Sequence, residues 1–136
     1  DKAMTTELTY LALTLILALV HILAPALGRT AQFGLAWNAG ARDTPAGPSR
    51  PVVGRLERAQ SNLFETLPLF IGAVLIAHVV EASGPLTLGG TTLYFWGRVV
   101  YLPLYALGVP YIRSLVWLVS IVGLVMVLAS LFLLKA

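Results

Sequence analysis

No charged residue interrupts Leu8–Gly28, and none interrupts Ser114–Leu134. Each run is long enough to cross a hydrocarbon core of about 30 Å as a helix, which takes roughly 20 residues. The middle of the chain is less plain. The uncharged stretch between Glu65 and Glu81 is too short to cross comfortably, whereas a helix from about Pro51 to Glu81 is long enough. That helix then carries Arg58, Asn62 and Glu65 on its inner part. A third span, Thr91–Val109, crosses only with Arg98 inside it. Pro51 suits a first helical turn, where its missing N–H costs nothing. Ser83-Gly84-Pro85 and the Gly108…Pro110 pair supply reversals. The pattern predicts helices over about 6–28, 51–81, 91–109 and 111–134, with one long loop, about Arg29–Arg50.

Composition agrees with the pattern. Hydrophobic residues make up 58% of the 136 and charged ones 11%, against about a quarter charged in soluble domains. The length suits a single domain. Asp1-Lys2-Ala3 before Met4 reads as a tag remnant, which sets the domain at 4–136. Acidic Glu7 precedes the first span where a signal peptide would be basic, and no small-residue cleavage site follows, so a membrane span is expected there. The chain has no cysteine, so sulfur chemistry here must use a thiol carried by a ligand. A dispersed net charge of +3 gives no nucleic-acid footprint.

The placement of the basic residues says more than their sum. Arg29, Arg42, Arg50 and Arg55 flank or occupy the first loop and Arg113 lies at the third, while the second has Glu81 and no Lys or Arg. The positive-inside rule makes loops one and three cytoplasmic and both termini external. Phe33 and Trp37 are expected to rest at the interface.

Two polar stripes set the chemistry. At 100° per residue Arg58, Asn62 and Glu65 fall within roughly 60° of one another, Arg55 and Gly72 extend that face, and Gln60 points nearly opposite. Tyr94, Arg98, Tyr101 and Tyr105 share one face of the third helix. Lipid solvates neither stripe, so both must face protein or a wet cavity. One reading is a structural network in which Glu65 pairs with Arg58 or Arg98. The other is an anion pocket: Arg58, Arg98 and Arg113 outnumber Glu65, and a guanidinium fork matches a carboxylate bidentately. Glu65 then suits an ammonium or amide N–H on the same ligand. A molecule with two carboxylates, one ammonium and peptide N–H groups, such as glutathione, has that complement.

The run R-A-Q-x-N-x-x-E-x-x-P-L-F, Arg58 to Phe70, resembles the second-helix signature of the membrane-associated proteins in eicosanoid and glutathione metabolism, the MAPEG family. Arg98, Tyr101 and Tyr105, followed by Ile112-Arg113-Ser114, are similar to its later helices. The resemblance implies an all-α membrane protein, a left-handed bundle of four transmembrane helices per subunit, assembled as a homotrimer in a bacterial inner membrane. It implies glutathione as cosubstrate, bound between subunits near the cytosolic side, and no metal. Arg58, Asn62, Glu65, Arg98, Tyr101 and Tyr105 would line the pocket from one subunit, with Gln60 and Arg29 reaching the ligand of the neighbour. Arg113 matches the arginine that holds the thiol as thiolate, and Ser114 the serine beside it. The implied activity is that of a glutathione transferase or peroxidase acting on a lipophilic electrophile or hydroperoxide from the bilayer. Thr66 departs from the pattern, standing where the leukotriene-forming synthase has tyrosine.

His21 and His78 share no metal-ligand spacing and read as packing residues, and Trp117, one turn after Arg113, fits either an acceptor groove or an interfacial anchor. The family also offers a non-catalytic lipid-binding scaffold, whose branch lacks the full arginine set retained here. A small proton-coupled exporter would need a carboxylate in the first span, and none lies between Glu7 and Arg29.

Overall fold

The computed structural model describes residues 3–45 and 47–133. They form α1 (Thr6–Phe33), α2 (Leu35–Ala39), α3 (Pro51–Val79), α4 (Pro85–Ala106) and α5 (Ile112–Leu133). Thr5 caps α1 by accepting the Leu8 N–H at 3.1 Å, and Pro51 and Pro85 open α3 and α4. Three helices, α1, α3 and α5, are long and apolar enough to cross a membrane. The expected ends of the last helix at Leu134 and of the domain at Ala136 lie outside the described residues, as do Asp1 and Lys2 of the supposed tag.

Helix ends differ from the sequence expectation at several places. The first helix does not stop at Gly28 but continues to Phe33. A Cβ on Gly28 would lie 2.9 Å from Val53 Cγ2, so this glycine lets α1 and α3 approach. The stop is Gly34, at φ 92°, whose N–H donates to the Thr30 carbonyl at 2.9 Å. Likewise α4 starts at Pro85, ahead of Thr91, and contains Gly89 and Gly90. A Cβ on Gly90 would come 2.6 Å from the Gly123 oxygen, and one on Gly123 would come 2.5 Å from the Gly90 oxygen. These residues are contact points between α4 and α5. At the far ends, α3 stops at Val79 and α4 at Ala106, short of Glu81 and Val109, and α5 begins at Ile112.

The long first loop contains a helix the sequence did not announce. Asn38 of α2 donates from Nδ2 to Thr30 Oγ1 at 2.8 Å and to the Ala26 carbonyl at 3.3 Å, folding the loop back on α1. Gln32 fastens the other end, donating to the Pro48 carbonyl and accepting the Arg50 N–H at 2.7 Å. Phe33 and Trp37 pack ring to ring at 5.2 Å.

Among the described residues α3 and α4 touch each other and both outer helices, whereas α1 and α5 do not meet. The section is a rhombus with α3 and α4 on its short diagonal. Polar groups are buried among its apolar core, and its outward faces are rich in large apolar side chains. Thr14, His21, Thr91, Arg98 and Ser120 are buried, while Leu15, Ile16, Leu69, Leu118 and Val125 face outward. Lipid is as apolar as leucine, so close packing and interhelical hydrogen bonds must hold such helices together. The Gly90–Gly123 approach and the contact of Gly97 with Ser120, 3.1 Å from a Cβ to Cβ, do this for α4 and α5.

Candidate functional site

The two stripes meet at Arg98, whose side chain is 0% exposed. Nη1 donates to Asn62 Oδ1 at 2.7 Å and Nη2 to Thr66 Oγ1 at 3.1 Å. Thr66 and the Tyr94 hydroxyl are 2.8 Å apart, and Tyr94 is held by a stacked Phe70 ring with centroids 4.0 Å away. The guanidinium carbon also lies 5.1 Å from the Tyr101 ring centre and 5.8 Å from that of Tyr94. A buried cation is thus held by neutral oxygens and aromatic faces, with no carboxylate among the described residues bonded to it. Aromatic quadrupoles offset part of the desolvation cost but leave the charge uncancelled.

A ladder leads outward from this point. Tyr101 meets Tyr105 edge-on, centroids 5.5 Å apart and planes at 82°. The Tyr105 ring in turn meets two guanidinia, Arg113 at 4.4 Å and Arg58 at 6.0 Å. Arg113 stands in the first turn of α5 because the α4–α5 reversal is tight, and its Nε is buried without a partner. These groups border a cleft of about 240 Å³ lined by Asn62, Tyr101, Tyr105, Arg113, Ser114 and Trp117. Cations without carboxylates, a phenol pair, a hydroxyl and an amide are equipment for an anion. Asn62 spends its oxygen on Arg98, which leaves its N–H₂ for a ligand.

The structure therefore brings together Asn62, Arg98, Tyr101, Tyr105, Arg113 and Ser114, with Arg58 alongside. Three expected residues stand apart. Arg29 is bonded within the chain, Nη1 to Glu57 Oε2 at 2.6 Å. Gln60 is half-buried and lines no part of the cleft. Glu65 is exposed and takes part in no ion pair among the described residues, so the purely structural pairing of Glu65 with Arg58 or Arg98 is not formed. Sequence reasoning missed Glu57, which carried no signal because its partner is 28 positions away. It left Thr66 as an unexplained departure and Trp117 undecided; the first proves to be a partner of Arg98 and the second a wall of the cleft.

His21 is buried and donates from Nδ1 to the Leu17 carbonyl at 2.8 Å, while His78 is exposed. The described residues contain no group of three or more His, Cys, Asp or Glu arranged to hold a metal. A larger hollow, about 310 Å³, opens at the opposite end beside Glu7, His78 and Glu81. It has no arginine, and Glu7 there already accepts the Thr87 hydroxyl at 2.7 Å. Unspent cationic chemistry, rather than volume, makes the smaller cleft the candidate site.

Neither a search of curated proteins nor one of solved structures returns a match. A comparison with protein families matches residues 8–133, nearly the whole chain, to the MAPEG family. With its long apolar helices and the large apolar side chains on its outer faces, this chain is an integral membrane protein that belongs to the MAPEG family.

Proposed function

We propose that the chain is a glutathione-dependent membrane transferase or peroxidase that activates the glutathione thiol for attack on a lipophilic electrophile or hydroperoxide. The observation that carries this reading is the meeting of Arg113 and Arg58 at the Tyr105 ring, beside the buried Arg98, with no carboxylate among the described residues bonded to any of the three. A cationic site of this kind favours carboxylates and a thiolate together. A free thiol with pKa about 8.5 is mostly protonated at neutral pH, and a guanidinium beside the sulfur raises the thiolate share. Ser114 would donate its hydroxyl to the same sulfur. The thiolate then bonds to an electrophilic carbon as the leaving group departs. Alternatively it takes the terminal oxygen of a hydroperoxide, releasing the alcohol, and a second glutathione converts the sulfenic acid to a disulfide with loss of water.

The exposure of Glu65 and Arg58 supports a shared site. In a homotrimer of four-span subunits the open side of the cleft would be closed by a neighbour, whose Gln60 and Arg29 would complete the ligand's contacts. Arg29 would then exchange or share its bond to Glu57. In this reading the α4–α5 turn and the first loop face the cytoplasm of a bacterial inner membrane and both termini lie outside.

Ultraviolet difference absorbance tests the proposal directly. Glutathione titrated into detergent-purified protein at neutral pH is expected to give a saturable thiolate signal that Arg113→Ala loses. Absence of both signal and calorimetric binding would move the chain to a non-catalytic lipid-binding scaffold.

A further inference from the structure

Arg55 lies on α3 one turn before Arg58 and shares its stripe, yet it does not line the cleft. Its guanidinium crosses to the end of α4, where Nη1 donates to the Ala106 carbonyl at 3.3 Å. The ending of α4 explains why that carbonyl lacks another donor. The Val109 N–H donates to Leu104 O and the Gly108 N–H to Tyr105 O, each at 3.0 Å, with Gly108 at φ 73°. This is a Schellman ending, which serves two of the carbonyls a helix C-terminus leaves free. Ala106 O is served by neither bond, and a cation beside it also meets the negative end of the helix dipole.

A second contact comes from the turn itself. A Cβ on Gly108 would lie 3.0 Å from Arg55 Cζ and 3.1 Å from its Nε, so the guanidinium rests against the glycine backbone. The reversal then passes through Tyr111, at φ 62°, into α5, whose second residue is Arg113. One arginine of α3 thus braces the segment that decides where α5 begins.

We infer that Arg55 is a positioning residue: it fixes the α4–α5 reversal, and through it the placement of Arg113 over Tyr105 at the mouth of the cleft. It does not touch the ligand. Misplacement of a reacting group by about 1 Å can cost on the order of 100-fold in rate, so a modest brace of one hydrogen bond and one packing contact is consequential here. The catalytic meaning of the inference rests on the glutathione reading, while the bracing role can be read without glutathione.

The chain has no cysteine, so the thiol introduced by Ser114→Cys is unique and lies in the cleft. Its alkylation rate against pH gives a titration midpoint in the absence of any ligand. Near Arg113 that midpoint is expected below the free value of about 8.5. Arg55→Met, which keeps length but removes every donor, is expected to raise it by about one unit, as Arg113→Ala does, a tenfold loss of thiolate below the midpoint. Gly108→Ala leaves the charge of Arg55 in place but disrupts both the turn and the contact, and is expected to shift the midpoint the same way. Arg55→Lys, which keeps charge and loses the fork, should fall between and covers the case in which Arg55→Met fails to assemble. A midpoint that moves with Arg113→Ala but not with Arg55→Met would overturn the inference. So would one that moves with Arg55→Met but not with Gly108→Ala, because Arg55 would then act by charge alone. With the Ser114 chain, Arg55→Met should lower bound glutathione thiolate more than it weakens glutathione binding. If the introduced thiol responds as stated but the unaltered protein forms no glutathione thiolate, the proposed function fails and the brace stands.

Discussion

Replacing Thr66 by valine keeps the shape of the side chain and removes one oxygen. That oxygen accepts from Arg98 Nη2 at 3.1 Å, pairs with the Tyr94 hydroxyl at 2.8 Å and lies 3.3 Å from the Leu63 carbonyl. A hydroxyl has one hydrogen and two lone pairs. With its proton on Leu63 O and its lone pairs toward Arg98 and Tyr94, Thr66 uses all three. Thr66→Val leaves two fully buried donors, one of them charged, without that partner. In a soluble core each would cost about 1–3 kcal/mol. Interhelical hydrogen bonds in membrane proteins average only about 0.6 kcal/mol and reach about 1.7, because helices separated in lipid find other partners. Arg98 also keeps its bond to Asn62. Two lost bonds to α4 therefore predict a destabilisation of about 1–3 kcal/mol. Unfolding by a denaturing detergent titrated into mild micelles, followed by tryptophan fluorescence, measures it. Thr66→Ser should stay within about 1 kcal/mol of the original, since it loses only a methyl group. A double-mutant cycle with Tyr94→Phe should show coupling of at least about 0.5 kcal/mol. A cost for Thr66→Val below about 0.5 kcal/mol, with no coupling, would refute the assignment of this hydroxyl as the hub of Arg98.

Three further outcomes follow from the same geometry. Glu57→Gln removes the carboxylate that Arg29 grips, but both side chains are partly exposed, so its effect on detergent stability is expected to stay under about 1 kcal/mol. Glu65→Gln touches a residue with no ion pair among the described residues; stability should change by less than about 0.5 kcal/mol, while calorimetry should show glutathione binding weakened about tenfold, or 1.4 kcal/mol. The bound thiolate is expected to persist at neutral pH and to disappear as pH falls through its depressed pKa, and Arg113→Ala should move that midpoint up toward about 8.5, as absorbance against pH would record.

Much of this molecule was legible in the sequence because lipid imposes a simple rule. A backbone that must satisfy itself in hydrocarbon forms helices, so long apolar runs and the spacing of Pro51, Ser83-Gly84-Pro85 and Gly108 anticipated a helical chain, in which α1, α3 and α5 are long and apolar enough to cross a membrane. The 3.6-residue period likewise put Arg58 with Asn62, and Arg98 with Tyr101 and Tyr105, on single faces before any contact was known. Which face meets which depends on distances across the bundle, and a one-dimensional pattern does not contain them. Gly28 and Gly90 lie at the edges of the expected helices but inside the observed ones, where they are crossing points, because only a neighbouring helix reveals that a Cβ would collide. Arg29 and Glu57 are far apart in sequence and 2.6 Å apart in the fold. Thr66 is a departure from a family pattern until Arg98 and Tyr94 are seen to converge on its oxygen. The sequence by itself determined that the chain lives in a membrane and that its polar stripes must be hidden from lipid. Tertiary structure decided which arginines are spent on the protein's own oxygens and which are left over, because that depends on the three-dimensional reach of each guanidinium.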